Sequence, residues 1–219
     1  MAHSTQGTKI CIIKDGATAV SITPTGASLA APSVITTATT GTLKDGDLVF
    51  LPADATGIPE IDGKWWVIGG LVTDTSFNLV GSVATGSTGT FSAGTAINGY
   101  PETAMQCLCF SSISFNRESP ASISVATFCD TTATVPGSST SAGTMDFSGY
   151  VDIAEADYKE LLKLEASGDH TTFRIMLPKN GTIIFEGIVN QITVGIPLEG
   201  AATYSGTVTL KSAARHLFD

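Results

Sequence analysis

The stretch Thr172–Val189, TFRIMLPKNGTIIFEGIV, decides the fold class of this 219-residue chain. Apolar side chains recur at every second position from Phe173 to Leu177, which is the period of a β-strand with one buried face. Asn180-Gly181 follows, and this pair favours a two-residue type I′ turn. The stretch therefore predicts a β-hairpin. Its second strand, Thr182–Val189, carries large apolar side chains on both faces, as a strand covered on two sides does.

Other parts of the chain carry the same signal. The two-residue period returns in Ser122–Thr127, Thr144–Asp152 and Tyr204–Lys211. Four shorter stretches are further strand candidates, namely Lys9–Lys14, Asp47–Leu51, Lys64–Ile68 and Ser76–Val80. The sequence thus predicts a mainly β protein of the sandwich or barrel kind.

One α-helix interrupts the strands, at about residues 153–167. Asp152 and Glu155 have the spacing of a capping box at a helix start. Ser167-Gly168 suits a helix end, because glycine readily adopts the left-handed conformation found there. The predicted apolar stripe consists of Ala154, Tyr158, Leu161 and Leu162.

Composition and charge exclude some classes of function. The chain has 11 basic and 20 acidic residues and a net charge of −9, which argues against stable binding of DNA or RNA. It has no apolar run long enough to span a bilayer. Its first residues lack the basic and apolar regions of a signal peptide. We therefore expect the protein to be made in the cytoplasm, with its four cysteines as buried thiols, namely Cys11, Cys107, Cys109 and Cys129.

The domain organisation follows from changes in composition. Residues 17–98 are rich in Thr, Ser, Gly and Ala, with turn signals between the strand candidates. Asn98-Gly99-Tyr100-Pro101 marks a boundary, after which the alternation sharpens. We expect one β domain from residues 1–16 and 99–219, with residues 17–98 inserted as a small β-module.

The stretch from Ile113 to His216 resembles the major tail tube proteins of long, non-contractile bacteriophage tails. The resemblance lies in the order of several pieces, with one helix between pairs of strands. The pieces are Ile113–Ser119, Ile123–Asp130, Val135–Gly137, Gly143–Gly149, the helix, Thr172–Pro178, Gly181–Val189 and Tyr204–Lys211. Thr8–Lys14 is similar to the first strand of that family. Residues 17–98 depart from its minimal subunit and are similar to a small β-module of phage structural proteins, placed on the outside of the tube.

The resemblance implies a structural virion protein rather than an enzyme. Such subunits form six-membered rings, which stack into a tube with a continuous β-barrel around the lumen. The implied partners are further copies of the chain, the tape measure protein, and the terminator and tip proteins of the tail. Assembly would take place in the host cytoplasm, and DNA would later pass through the lumen. No cofactor is implied.

The tail tube hypothesis assigns roles to two acidic and two apolar residues. An acidic lumen would repel phosphate, so that DNA slides without being held. Asp146 and Glu186 are the lumen candidates, because each occupies a polar position within a strand; the alternative is an ordinary outer-face charge. A strand that is apolar on both faces lies either under a helix or against a neighbouring subunit, and Ile184 and Ile188, on the second face, are the candidates for the subunit contact. Pairing of strand edges between copies would remove edges that are adhesive in a monomer.

A carbohydrate-binding or decoration module of a virion is the alternative function. Trp65-Trp66 motivates it, because an exposed indole can hold a sugar ring. Neighbouring residues of a strand face opposite ways, so only one of the two can be exposed and the other belongs to the core.

Catalysis and metal binding find little support in the sequence. Cys107 and Cys109 would point the same way on a strand, but zinc usually needs four ligands and no histidine lies near them in sequence. A hydrolase would depend on His170, and no Gly-x-Ser-x-Gly motif or phosphate-binding loop accompanies it. His3 and His216 lie near the termini. We expect no catalytic, cofactor or metal site.

Overall fold

The computed structural model describes residues 8–116, 122–125, 133–136, 143–151, 156–178, 181–211 and 214–217. Strands dominate these residues, and α1, Ala156–Ser167, is the one α-helix among them. The predicted fold class, mainly β with one α-helix, is confirmed. Within the described part of the chain, no helix has both the length and the apolarity needed to cross a membrane.

The strands fall into two groups along the chain. Those up to residue 108 are β1 Lys9–Ile13, β2 Val20–Ile22, β3 Pro24–Ala27, β4 Ser33–Thr37, β5 Leu48–Leu51, β6 Lys64–Val72, β7 Ser76–Leu79, β8 Ile97–Tyr100 and β9 Met105–Leu108. Those after it are β10 Ser112–Asn116, β11 Ser122–Val125, β12 Ala133–Pro136, β13 Thr144–Tyr150, β14 Thr171–Met176, β15 Thr182–Gly195, β16 Thr203–Leu210 and β17 Arg215–Leu217. Each predicted strand has a counterpart among the described strands, whereas the sequence analysis missed eight strands, namely β2, β3, β4, β8, β9, β10, β12 and β17.

The strands form two large sheets and one hairpin. One sheet has the order β10-β13-β16-β15-β14-β1-β9, with β17 paired to β15. The other has the order β2-β8-β5-β6-β7-β4-β3. β11 and β12 pair only with each other among the described strands.

The chain divides into two compact units. The barrel unit holds the chain up to Cys107, together with Arg174–Ile184 and the segment from His216. The helix unit holds Leu108–Phe173 and Phe185–Arg215. All seven strands of the second sheet lie between residues 20 and 100. The insertion of residues 17–98 into a tube domain stays a prediction.

The second sheet nearly closes into a barrel within the barrel unit. β2 pairs with β8 at one end of the strand order, and β3 pairs with β4 at the other. Only Thr23 separates β2 from β3, so these two strands are the halves of one bent strand. Counted in this way, the barrel has six strands. The interior is apolar, with Ile22, Ile35 and Phe77 fully buried. Burying a side chain as large as that of Phe77 contributes about 2–3 kcal/mol.

A loop beside the barrel is organised by a buried carboxylate. Asp62 is 6% exposed and accepts hydrogen bonds from the backbone N–H groups of Thr56 and Gly57 and from the Thr56 hydroxyl, at 2.8–3.2 Å. The Trp66 indole donates to the carbonyl of Ile61 at 2.8 Å. Because buried polar groups cost free energy when unpaired, these bonds fix the loop between β5 and β6.

The cysteines differ from the prediction. Cys11 and Cys107 form a disulfide, although thiols were predicted. Their strands β1 and β9 are neighbours in the sheet, which brings together two residues 96 positions apart in sequence. Cys109 is exposed rather than buried. Cys129 lies outside the described residues.

Helix α1 belongs to the helix unit and ends as predicted. Gly168 has φ +66° and its N–H donates to the carbonyl of Leu164 at 3.0 Å. The buried face of the helix differs from the predicted stripe, because Leu161 and Leu164 are buried whereas Leu162 is 38% exposed. Leu161 and Leu164 are three residues apart and share a face, while Leu162 is turned away from it. The predicted capping box at residues 152 and 155 lies outside the described residues.

The predicted hairpin is also present. β14 and β15 are neighbours in the sheet, and the N–H of Leu177 donates to the carbonyl of Gly181 at 2.7 Å. Asn180, which was expected in the turn, lies outside the described residues.

Candidate functional site

The helix unit carries a broad polar sheet face across β10, β13, β16 and β15. The strand registers place Ser114, Asp146, Thr207 and Gln191 in one row across the four strands. The next row consists of Ser112, Ser148, Ser205 and Thr193. Facing residues of paired strands lie on the same side of a sheet, so these rows form one surface. We call it the polar face; it also includes Asn116, Thr144, Thr203 and Thr209.

The other side of the same strands is apolar. Met145, Phe147 and Val208 are buried there, and Tyr204 is 2% exposed. The ring of Tyr158 on α1 lies 5.3 Å from that of Tyr204. Each strand therefore alternates between a buried apolar side and a hydroxyl-rich outer side.

A second contact attaches α1 to the sheet. The Glu165 carboxylate accepts a hydrogen bond at 2.8 Å from the N–H of Ile192 on β15. The register shifts nearby, between Val189 and Gln191. A bulge of this kind twists a strand and re-aims its side chains. The helix thus holds the bulged strand in place behind the polar face.

Asp146 is the charged group at the centre of the polar face. Its carboxylate accepts hydrogen bonds from the Asn116 amide at 2.6 Å and from the Thr207 hydroxyl at 3.0 Å. Both donors are neutral. Among the described residues, no lysine, arginine or histidine forms an ion pair with it. The negative charge of Asp146 is therefore held in place without being neutralised.

Glu186, the other predicted acidic residue, has a different environment. Its carboxylate lies 3.0 Å from the ammonium group of Lys211, and its side chain is 22% exposed. Such a pair cancels most of the charge that a passing phosphate would meet. Asp146 is thus the stronger candidate for a repelling group.

The four strands contain no lysine or arginine. A shallow depression of about 260 Å³ lies in the face and is lined by Asp146, Gln191, Thr193 and Thr207, among others. Gly206 is required there, because an added Cβ would meet the Phe147 ring at 2.5 Å and the carbonyl of Gln191 at 2.6 Å. The surface combines hydroxyls, amides and one uncompensated carboxylate.

The two tryptophans are in different environments. Trp66 is buried in the barrel unit, as expected for one of the pair. Trp65 is half-buried, and its ring lies 5.1 Å from that of Phe50 and 5.5 Å from that of Tyr100. The meeting of three aromatic rings could not be predicted from sequence patterns, because β5 and β8 pair across about 50 residues.

The isoleucine predictions need one correction. Ile184 is 2% exposed and belongs to the core of the barrel unit, so it cannot offer a surface to a neighbouring subunit. Its strand carries apolar groups on both faces because the chain itself covers both. Ile188 is half-buried and lies opposite Thr209 at the margin of the polar face.

The helix unit also exposes large apolar side chains that the sequence analysis did not single out. Ile196 and Leu198 follow β15 and are 82% and 106% exposed. Tyr150, which lies opposite Thr203, is 66% exposed. These three residues form the apolar tip of the unit. The signal was available as Ile-Pro-Leu in a turn region, where polar residues are usual.

Acid–base and metal-ligating groups are dispersed. His170 and His216 are exposed, and His3 lies outside the described residues. Within the described ranges, no group of three or more His, Cys, Asp or Glu side chains could hold a metal ion.

No family profile and no curated protein sequence matches the chain.

Proposed function

We propose that this chain is the subunit of a phage tail tube, in which copies form stacked, six-membered rings around a DNA-conducting lumen. The polar face would line the lumen. The observation that carries the proposal is a surface four strands wide that contains no lysine or arginine and one uncompensated carboxylate, Asp146. Retention of DNA requires cations that neutralise phosphates, so such a surface would let DNA pass.

The edge of the sheet supports assembly. Within the described residues, β10 pairs with β13 alone and stands at the end of the strand order. A free edge exposes backbone N–H and C=O groups, which a strand of a second copy can pair. In a ring, each subunit would pair with the strand edge of the next subunit. The paired sheets of all subunits would then form one β-barrel around the lumen.

The β11–β12 hairpin gives a second argument. It joins neither large sheet in the described part of the chain. A two-stranded hairpin alone is marginally stable in water, so contact with another chain would stabilise it. In a tube, an adjacent ring can supply that contact.

The proposal extends to partners and location. The tube would meet the tape measure protein inside, the terminator and tip proteins at its ends, and DNA during ejection. It would be assembled in the host cytoplasm and be part of the virion. We propose neither an enzymatic activity nor a cofactor.

Electron microscopy of the purified full chain tests the proposal. We expect rings, or tubes with a regular axial repeat and an open centre, whose walls contain the polar face on the inside. The proposal fails if the protein stays monomeric at high concentration and also in the presence of tape measure protein and tail chaperone. It also fails if tubes form with the polar face on the outside.

A carbohydrate-binding or decoration module is the second candidate. It is favoured by the ring cluster of Phe50, Trp65 and Tyr100 on the barrel unit, because half-buried aromatic rings that lie side by side can offer a ring face to a sugar. Glycan-array binding that is saturable and lost in Trp65→Ala would favour this candidate. Trp66→Phe is a poor probe, because Trp66 is part of the core.

A further inference from the structure

We propose that the barrel unit contains a binding cleft for a small carboxylate that carries a short apolar chain. The cleft has a volume of about 550 Å³, which lies in the range of small-molecule sites. Arg174 is one of its lining residues and supplies the cationic group. Val67, Val80, Met176 and Leu177 supply apolar walls.

The guanidinium group of Arg174 is the unusual feature of the cleft. Arg174 is 8% exposed, so its side chain is almost fully removed from water. Its Nε is buried and has no hydrogen-bond partner among the described residues. A buried donor without a partner is costly, and a charged one more so. An anion in the cleft would satisfy it.

The carboxylates of Asp47 and Glu102 do not act as the missing partner of Arg174. Asp47 and Glu102 favour the charged form of Arg174, which opposes the lowering of its pKa by burial. However, the described structure contains no ion pair or hydrogen bond of either carboxylate with Arg174. Asp47 instead accepts hydrogen bonds from the N–H groups of Lys44 at 2.7 Å and Glu102 at 3.0 Å.

The shape of the cleft selects the ligand class. A guanidinium is a planar fork that matches the two oxygens of a carboxylate. Gly69 and Gly70 lie in the wall and leave backbone in place of side chains. Val67, Val80, Met176 and Leu177 give the cleft an apolar part, which a bare inorganic anion would leave without contacts. A carboxylate with an aliphatic chain would use both parts of the cleft.

Isothermal titration calorimetry of the full chain with hexanoate tests the proposal. We expect one site per chain, with a Kd of about 1 mM, as suits a ligand of this size. Hexanamide, which has nearly the same shape without the charge, and inorganic phosphate, which lacks the chain, should each bind at least about tenfold more weakly. Hydrogen exchange should slow on ligand binding at residues 67–70 and 174–178.

Substitutions at two positions separate the role of the Arg174 charge from that of the space in the cleft. Arg174→Met keeps an unbranched side chain and should weaken hexanoate binding at least about tenfold, and Arg174→Lys should retain part of it. Val80→Trp keeps the guanidinium but fills the cleft, and it should also abolish binding. Val80→Trp tests the site even if Arg174→Met does not fold.

The proposal is overturned if wild-type protein binds no hexanoate at concentrations well above the expected Kd. It is also overturned if hexanamide binds equally well, or if either Arg174→Met or Val80→Trp retains full affinity. A cleft that is unaffected by all these changes would show that Arg174 has a structural role alone.

Discussion

The seven-stranded sheet of the barrel unit and the sheet that contains β10 differ in how their edges are paired. In the seven-stranded sheet, β2 and β3 lie at the two ends of the strand order and are joined through Thr23, so this sheet is nearly closed. In the helix unit, β10 pairs on one side only, and the β11–β12 hairpin has no other strand beside it in the described structure. A closed sheet needs no further copy for its backbone hydrogen bonds, whereas an open one presents them to a neighbour.

The difference extends to the side chains. The barrel unit buries most of its large apolar groups, with Phe77 and Leu79 fully buried, although Val72 and Val83 are exposed. The helix unit leaves Ile196 and Leu198 exposed beside a polar sheet face. Exposed apolar residues that cluster at one place mark contact surfaces more often than scattered ones do. We therefore expect changes in the barrel unit to affect stability, and changes in the helix unit to affect assembly.

The largest expected effect on stability belongs to Asp62 in the barrel unit. Asp62→Ala should lower the free energy of unfolding by about 3 kcal/mol, because it leaves the N–H and hydroxyl of the buried Thr56, and the N–H of Gly57, without their acceptor. Urea denaturation measures the change. Asp54→Ala is the matched control in the same loop; Asp54 accepts one exposed hydrogen bond from Thr95, and its loss should cost less than about 1 kcal/mol. Equal losses in the two variants would contradict the prediction.

The apolar tip should control assembly rather than folding. Leu198→Asp should abolish tubes in electron micrographs, because a carboxylate at a contact between copies would be buried without a partner. The unfolding free energy should change by less than about 0.5 kcal/mol, since Leu198 is fully exposed in the monomer.

Val83→Asp is the control for the tip. Val83 lies in the barrel unit and is 62% exposed, so the same substitution there tests a general effect of added charge. It should leave tubes intact. If both variants assemble, the tip is not a contact surface, and the contrast between the two units loses its main support.

Charge reversal in the polar face should change DNA retention. Asp146→Lys places one ammonium group per subunit in the proposed lumen, and each neutralised phosphate strengthens DNA binding in a salt-dependent way. Assemblies of the variant should retain duplex DNA at low salt and release it as salt increases, whereas wild-type assemblies should not retain it. Filter binding over a salt series measures this.

Asp146→Asn provides the graded comparison for the lumen. It removes the charge and leaves an acceptor for the Asn116 amide or the Thr207 hydroxyl, so it should assemble and have an intermediate effect at most. Asp54→Lys, in the barrel unit, should not increase retention. If it increases retention as much as Asp146→Lys, the polar face has no special role.

The smallest expected effect is a pH dependence at Asp47. Burial raises the pKa of Asp47 above its ordinary value of 3.8, although the N–H groups of Lys44 and Glu102 and the charge of Arg174 oppose the change. The folded state therefore binds the proton more tightly than the unfolded state. The stabilisation is complete below pH 3.8 and is lost as the pH rises through the higher folded pKa.

Comparison with Asp47→Asn isolates this effect. The unfolding free energy of wild type, relative to the variant, should fall as the pH rises from about 4 to about 7. Urea denaturation over that range measures it. A relative stability that is constant or increases with pH would contradict the raised pKa.

The sequence predicted those parts of the fold that carry a long regular period. The alternation at Phe173–Leu177 and the apolar Thr182–Val189 led directly to β14 and β15. β2 and β3 were missed because three or four residues, one of them proline, cannot display a period. Barrel closure at Thr23 was hidden for the same reason.

The candidate site was predictable only in part. Asp146 could be placed on a polar strand position, because its neighbours in sequence alternate around it. The row of residues from Ser114 to Gln191 could not be predicted, because strand order and register depend on pairings between residues that are distant in the chain. The burial of Ile184 and the pairing of Cys11 with Cys107 depend on such distant neighbours too. Arg174 looked like an ordinary polar position of an alternating strand.

The bent strand at Thr23 also bears on synthesis by the ribosome. β2 pairs with β8, so the barrel cannot close until Ile97–Tyr100 has left the exit tunnel. At a synthesis rate of about 5–20 residues per second, β2 stays unpaired for several seconds while the rest of the barrel is being made. During that interval its pairing groups are accessible to other nascent chains. A holding chaperone would be most useful to this protein in that period, well before the helix unit is made.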